Sequence, residues 1–86
     1  MVERQAVVKN KLGIHARPSA LIVQSAAKFA AEITLVKDGL EVNGKSIMGV
    51  MMLAAETGAG ILVRAEGTDE QDAADKMADV IESKFD

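Results

Sequence analysis

The chain of 86 residues contains no cysteine, no tryptophan and no tyrosine, and only two phenylalanines, one proline and one histidine. Without cysteine it has no disulfide, no thiolate zinc site and no cysteine nucleophile. The near absence of aromatic rings excludes the usual way of binding nucleic-acid strands, in which bases stack on aromatic side chains. The chemistry of this protein therefore rests on few side chains, of which the single histidine, His15, is the most informative.

The sequence also lacks a long apolar run. No stretch reaches the roughly 18 residues of a membrane span, and residues 1–10 lack the basic-then-apolar order of a signal peptide. We therefore expect a cytoplasmic protein that does not insert into a membrane. A chain of this size buries roughly 63% of its unfolded surface, which predicts one compact domain over residues 1–86 and hardly a deep active-site cleft.

The net charge of −3 is unevenly distributed. Residues 1–28 contain five basic side chains against Glu3 alone, a formal charge of +4, whereas residues 64–86 contain eight acids against three bases. The acidic balance argues against a nucleic-acid partner. The positive first third indicates an anionic ligand or an acidic partner surface, with scattered solubilising charge as the alternative.

Hydrophobic patterning predicts elements in the order β-α-β-β-α-β-α. The predicted strands are 2–8, 32–37, 40–43 and 61–66, and the predicted helices are 16–28, 47–53 and one that follows residue 68. Asp38-Gly39 between two short strands favours a hairpin, and Lys28 is expected to close the first helix. Helices with one apolar face must cover one face of a sheet, so we predict a two-layer α+β sandwich. This order alone fits ferredoxin-like and other split folds equally well.

The last helix is predicted from its start and its period. Thr68 and Gln71 have the spacing of a capping box. Apolar positions then recur with the helical period, at Ala74, Met77, Ala78, Ile81 and Phe85.

The segment Gly13-Ile-His-Ala-Arg-Pro-Ser19 places His15 at, or just before, the first residue of a helix. There the free backbone N–H groups and the positive end of the helix dipole form an anion site. The planar guanidinium of Arg17 suits phosphate oxygens, and Pro18 fixes the backbone at the helix start. This combination favours transient phosphoryl attachment, which needs positioning and charge neutralisation more than an elaborate catalytic apparatus.

Other interpretations of His15 are weaker. The side chain could merely cap or pack at the helix start. A metal site lacks a second histidine, any cysteine and any acid nearby besides Glu3. A nucleophilic pair of Ser19 with His15 has no acid to orient it.

The predicted helix 47–53 is apolar nearly all round. If Val50 and Leu53 face the core, then Ile47, Met48 and Met51 are exposed together as an adaptable surface for partners. The alternative is that all five belong to the core.

Residues 10–19, Asn-Lys-Leu-Gly-Ile-His-Ala-Arg-Pro-Ser, together with residues 44–51, Gly-Lys-Ser-Ile-Met-Gly-Val-Met, resemble the HPr family of histidine phosphocarriers over the whole chain. These proteins serve the bacterial phosphoenolpyruvate-dependent phosphotransferase system. The resemblance implies an open-faced sandwich, with a four-stranded antiparallel sheet covered on one face by three helices. It also implies a carrier without metal or organic cofactor, a phosphotransferase component rather than a stand-alone enzyme. We expect a monomer.

The resemblance further implies that enzyme I phosphorylates His15 on Nδ1 with a phosphoryl group from phosphoenolpyruvate. Phospho-His15 then donates it to a histidine of an enzyme IIA domain. Arg17 matches the arginine that neutralises the phosphoryl charge, and the backbone amides of Ala16 and Arg17 would donate hydrogen bonds to it. The helix that carries Ile47, Met48 and Met51 matches the family's shared docking surface.

Ser46 is predicted to cap the helix that follows it. In many HPr proteins the matching serine is a regulatory site for HPr kinase/phosphorylase, although a capping serine has the same pattern. The sequence leaves open whether the chain serves the sugar branch or is a nitrogen-branch carrier (NPr), which shares the Gly-x-His-Ala-Arg-Pro core. A pure regulatory adaptor that binds partners through the methionine face is a further alternative.

Overall fold

The computed structural model describes residues 1–84. Its elements are β1 (Val2–Val7), α1 (Ala16–Ala26), β2 (Glu32–Lys37), β3 (Leu40–Asn43), α2 (Ile47–Met52), β4 (Gly60–Glu66) and α3 (Glu70–Glu82). The strands form one antiparallel sheet in the order β1-β4-β2-β3. The predicted element order and α+β class are therefore confirmed, and the sheet order distinguishes this fold from the ferredoxin-like alternative that the sequence left open.

The central strand β4 shows why the molecule has two layers. Ile61, Val63 and Ala65 are buried, whereas Leu62 and Arg64, which alternate with them, are half-buried. The buried face meets helix residues that are also fully buried, among them Ile22, Ala26, Met77, Ala78 and Ile81. On the other, open face the Arg64 guanidinium bridges Glu3 of β1 at 3.0 Å and Glu41 of β3 at 3.4 Å. No helix within residues 1–84 has both the length and the hydropathy that a membrane crossing requires.

The Asp38-Gly39 hairpin between β2 and β3 is confirmed. Both residues have positive φ, 51° for Asp38 and 82° for Gly39, as the two central residues of a tight hairpin turn require. The predicted core positions of α3 are confirmed in the same way, because Ala74, Met77, Ala78 and Ile81 are buried. The predicted position at Phe85 lies outside the described residues.

The predicted end of α1 is wrong. The helix stops at Ala26, and Lys28 lies in the turn beyond it. The Lys28 N–H donates to the carbonyl of Ser25 at 3.2 Å, and the Phe29 N–H donates to the carbonyl of Ala26 at 3.1 Å. Both hydrogen bonds span three residues instead of four, as is common in the last turn of a helix. Phe29 is partly buried and packs against the core directly after this turn, whereas Lys28 is exposed in the turn and does not close the helix.

The predicted capping box at Thr68 and Gln71 is also wrong. The N-cap of α3 is Asp69, and Glu70 reaches back to accept a hydrogen bond from the N–H of Gly67 at 3.1 Å. The hydrogen bond from a backbone N–H to the side chain three residues later, which is one half of a capping box, therefore joins Gly67 and Glu70. The predicted pair, Thr68 and Gln71, lies one residue further along the chain. The Gln71 amide instead donates to a carboxylate one turn along the helix.

Candidate functional site

The backbone of the loop before α1 is fixed by hydrogen bonds within the loop and by one to the segment after α2. The side-chain amide of Asn10 donates to the carbonyl of Gly13 at 2.8 Å, and the Gly13 N–H donates to the carbonyl of Asn10 at 2.9 Å. The Ile14 N–H donates to the carbonyl of Ala55 at 2.8 Å, just beyond α2. The residue that follows this braced segment is His15.

His15 is the N-cap residue of α1, with extended backbone (φ −98°, ψ −164°). Its imidazole is exposed and makes no capping hydrogen bond. Within residues 1–84 this ring has neither a hydrogen-bond partner nor an ion pair. The sequence prediction of its location is confirmed, and the side chain is accessible from solvent.

The start of α1 leaves two amides unused. The first bond of the helix runs from the Ser19 N–H to the carbonyl of His15 at 2.9 Å. Pro18 has no N–H, and the N–H groups of Ala16 and Arg17 donate to no acceptor in the described part of the chain. Such free amides at the positive end of a helix bind anions.

The Arg17 guanidinium is exposed two residues from the histidine. It forms no ion pair with any carboxylate of residues 1–84. An anion at His15 therefore has no carboxylate of this described range to displace before it can pair with this side chain.

The short helix α2 packs beside α1 and presents the predicted face. Val50 and Leu53 are buried, whereas Ile47, Met48 and Met51 are exposed, Met48 by 73%. The alternative in which all five belong to the core is therefore wrong. We call the exposed residues of this helix, Ile47, Met48, Met51 and Met52, the α2 patch.

Ser46 is the N-cap of α2, as predicted. Its side-chain oxygen accepts a hydrogen bond from the Gly49 N–H at 3.2 Å. The residue is half-buried, so the hydroxyl combines a capping role with partial access to solvent.

Three exposed apolar residues near the site were not predicted from the sequence. Met52 is 65% exposed, and its spacing of four from Met48 was a usable indication that both lie on one helical face. Leu21 is exposed on α1, four residues after Arg17. Leu12, 70% exposed, lies in the turn before the histidine, where no periodicity could reveal its orientation.

The structure also bears on the rival chemistries. No group of three or more histidine and carboxylate side chains among residues 1–84 could hold a metal ion. The hydroxyl of Ser19 is fully buried and has no hydrogen-bond partner in the same range. It is therefore not paired with His15 as a nucleophile.

Fold and site together define a small α+β protein that presents an exposed histidine at the start of a helix. Comparisons agree with this class. A family model described as the PTS HPr component phosphorylation site matches residues 2–83. The phosphocarrier protein HPr of Xylella fastidiosa is 48% identical over 99% of this chain and 96% of its own length.

Two further comparisons cover the chain equally well. The HPr-like protein Crh of Halalkalibacterium halodurans is 50% identical over 98% of this chain and 100% of its own. The crystal structure of HPr-C-His from Thermoanaerobacter tengcongensis has a TM-score of 0.92 at 49% identity, covering 99% of this chain and 96% of that one. The chain belongs to the HPr family of phosphocarrier proteins of the phosphotransferase system.

Proposed function

We propose that this protein is a cytoplasmic phosphocarrier that accepts a phosphoryl group from phospho-enzyme I on Nδ1 of His15. The lone pair of unprotonated Nδ1 forms the new bond to phosphorus as the bond between phosphorus and enzyme I breaks. In the second transfer a histidine of an enzyme IIA domain attacks the same phosphorus, and the imidazole is the leaving group. The observation that carries this proposal is the exposed imidazole at the start of α1, which has no partner among residues 1–84.

The groups around the ring suit the charge that arrives with the phosphoryl group. The free N–H groups of Ala16 and Arg17 can donate to its oxygens, and the Arg17 guanidinium can neutralise it. The two backbone amides are fixed by the helix start before the reaction, which limits the reorganisation needed when charge is transferred.

The α2 patch supplies a docking surface beside the histidine. Its four side chains expose apolar area without any aromatic ring, and methionine adapts to partners of different shape. Enzyme I and enzyme IIA domains would each complete the site from their own side.

The carrier is expected to act as a monomer. Size-exclusion chromatography with light scattering tests this expectation by measuring its molar mass in solution.

The direct experiment is phosphorylation by the cognate enzyme I with phosphoenolpyruvate and Mg²⁺. Intact-mass spectrometry should show the gain of one phosphoryl group, and the adduct should be acid-labile and base-stable. His15→Ala should gain none, whereas Lys11→Ala, which changes an exposed cation in the same loop, should be phosphorylated. The proposal fails if the wild type is not phosphorylated or if His15→Ala still is.

The branch of the system is tested by the acceptor. Phosphorylated carrier is mixed with enzyme IIA domains of the sugar branch and of the nitrogen branch, and the rates of loss of its phosphoryl group are compared. Faster transfer to the sugar-branch domains supports the sugar assignment, and the reverse order identifies an NPr-type carrier.

We also propose Ser46 as a regulatory site for HPr kinase/phosphorylase. A phosphate at the first turn of α2 keeps acceptor oxygens near the Gly49 N–H, so the helix need not unfold. It adds negative charge next to the α2 patch and should weaken docking of acidic partners. Incubation with ATP and the kinase should modify the wild type but not Ser46→Ala, and unchanged affinity of the phosphoserine form for enzyme I would contradict the regulatory role.

A second candidate function is a regulatory adaptor, which the exposure of Met48 favours because that surface exists whatever the histidine does. The phosphocarrier and the adaptor predict different cellular phenotypes for substitutions at His15 and Met48. If His15→Ala leaves the phenotype intact and Met48→Asp abolishes it, the adaptor is the correct assignment.

A further inference from the structure

Asn10 is one of only two polar residues that are fully buried among residues 1–84. A buried amide is costly unless its polar groups are hydrogen-bonded. The side-chain nitrogen of Asn10 donates to the carbonyl of Gly13 at 2.8 Å, and the backbone carbonyl of Asn10 accepts from the Gly13 N–H at 2.9 Å. One residue thus closes the turn with both its side chain and its backbone.

The side-chain bond acts on a particular peptide group. The Gly13 carbonyl and the Ile14 N–H belong to one planar peptide unit. The carbonyl accepts from Asn10, and the N–H donates to the carbonyl of Ala55 at 2.8 Å. This peptide plane is therefore clamped at both of its polar ends, directly before His15.

The backbone at Gly13 is also closely packed against the segment that follows α2. Gly13 has φ +74°, and a Cβ built there would lie 2.5 Å from the carbonyl oxygen of Ala55. The Ile14 side chain is buried. The backbone that leads into His15 is thus fixed by close packing as well as by two hydrogen bonds.

We propose that Asn10 is a positioning residue for phosphoryl transfer. By clamping the Gly13–Ile14 peptide it sets the direction of His15 and of the free amides that follow. The inference rests on the proposed function of His15 as phosphoryl acceptor. In-line transfer depends on placement, and a shift of about 1 Å can lower a rate by about a hundredfold.

The test uses two substitutions at Asn10. Asn10→Ala removes the donor and its volume, whereas Asn10→Asp keeps the volume and replaces the N–H donor by an acceptor. Both should lower kcat for phosphorylation by enzyme I by about tenfold or more. The KM for the carrier should not change, because the α2 patch is untouched. Asn10→Ser replaces either variant if that variant does not fold.

Val63→Ala is the matched control, because it removes buried apolar volume from β4 and leaves the clamp intact. All variants are compared at a temperature at which circular dichroism shows them folded. Hydrogen exchange of the Ile14 amide should accelerate in the Asn10 variants more than in Val63→Ala.

Wild-type kcat in a folded Asn10 variant overturns the inference, and so does an equal loss of kcat in Val63→Ala, which would assign the effect to general destabilisation. These results leave the proposed function standing, since the wild type is phosphorylated in both. Failure to phosphorylate the wild type defeats the proposed function and this inference with it.

Discussion

The capping serine and the buried serine of this small protein, Ser46 and Ser19, show that the energetic effect of a hydroxyl group depends on its hydrogen-bond partners. Ser46 has a partner for its hydroxyl in the Gly49 N–H. Ser19 has none within residues 1–84, although it is fully buried one turn into α1. A buried hydroxyl without a partner loses its hydration and gains nothing in return.

Ser19→Ala should therefore raise the free energy of unfolding by about 1 kcal/mol, since it removes the unsatisfied group and alanine has the higher helix propensity. Urea denaturation measures the change. Ser46→Ala is the contrasting variant and should lower the same quantity by about 1 kcal/mol through loss of the cap. A destabilised Ser19→Ala would show that its hydroxyl has a partner in solution.

Ala54 carries backbone strain. Its φ is +48°, in the left-handed region, which costs a residue with a Cβ about 1–2 kcal/mol. Ala54→Gly should relieve this strain and, after the larger entropy of glycine in the unfolded chain, raise the free energy of unfolding by about 0.5–1 kcal/mol. Ala20→Gly, within α1, should lower it by about 1 kcal/mol. Equal destabilisation by both substitutions in urea denaturation would contradict the assignment of strain.

At the scale of elements, α2 combines a buried face and an exposed apolar face in six residues. One face fixes the helix on the core through Val50, and the other exposes the α2 patch. Substitutions on the exposed face should therefore change binding without changing the fold.

Met48→Asp should weaken the affinity for enzyme I by about tenfold, the effect of losing one well-placed apolar contact. Its free energy of unfolding should stay close to that of the wild type because the side chain is exposed. Isothermal titration calorimetry measures the affinity. Leu40→Asp, which changes an exposed apolar residue of β3, is the control and should bind normally. Equal loss in both variants would show that the α2 patch is not the docking surface.

Local patterns predicted the elements well where the cause is local. The hairpin at Asp38-Gly39, the cap at Ser46 and the inward face of α2 follow from turn geometry, capping and helical spacing. The start of α3 could not be predicted in this way, because the Asp69 carboxylate that marks it is bound to the amides of Ala30 and Ala31, nearly forty residues earlier in the chain.

The features of the site also differ in whether the local sequence predicts them. The position of His15 and the exposure of its ring follow from a helix start that the sequence shows. The clamp on the Gly13–Ile14 peptide does not, because its second hydrogen bond comes from Ala55 beyond α2. Hydrogen bonds between segments that are distant in the chain depend on how the whole fold packs. The local hydrophobic pattern carries no information about that packing.

At the scale of the whole molecule, Asp69 ties α3 to the chain between α1 and β2. The backbone N–H of Ala30 at 2.9 Å is the main cause that holds the pKa of Asp69 below its usual 3.8, with Ala31 and the charge of Lys45 acting in the same direction. A carboxyl group whose pKa is lower in the folded state contributes stability above its unfolded pKa and loses it as the pH falls through the folded value.

The free energy of unfolding should therefore fall as the pH drops below about 4, and part of this loss belongs to Asp69. Asp69→Asn should be less stable than the wild type at pH 7, because a carboxylate acceptor of two amides is lost. The difference between the two proteins should shrink as the pH falls towards 2. Urea denaturation across this range measures it, and a difference that stays constant with pH would contradict the role of the ionised carboxylate.

The assignment of the phosphoryl site to His15 and the start of α1 can be tested on the amide spectrum of the protein. ¹⁵N-labelled protein is recorded by NMR before and after phosphorylation by enzyme I. This assignment predicts that the Ala16 and Arg17 amides show the largest changes, while the amide of Gly39 in the remote hairpin keeps its position. Absence of phosphorylation, or the largest changes at residues far from the start of α1, would contradict it.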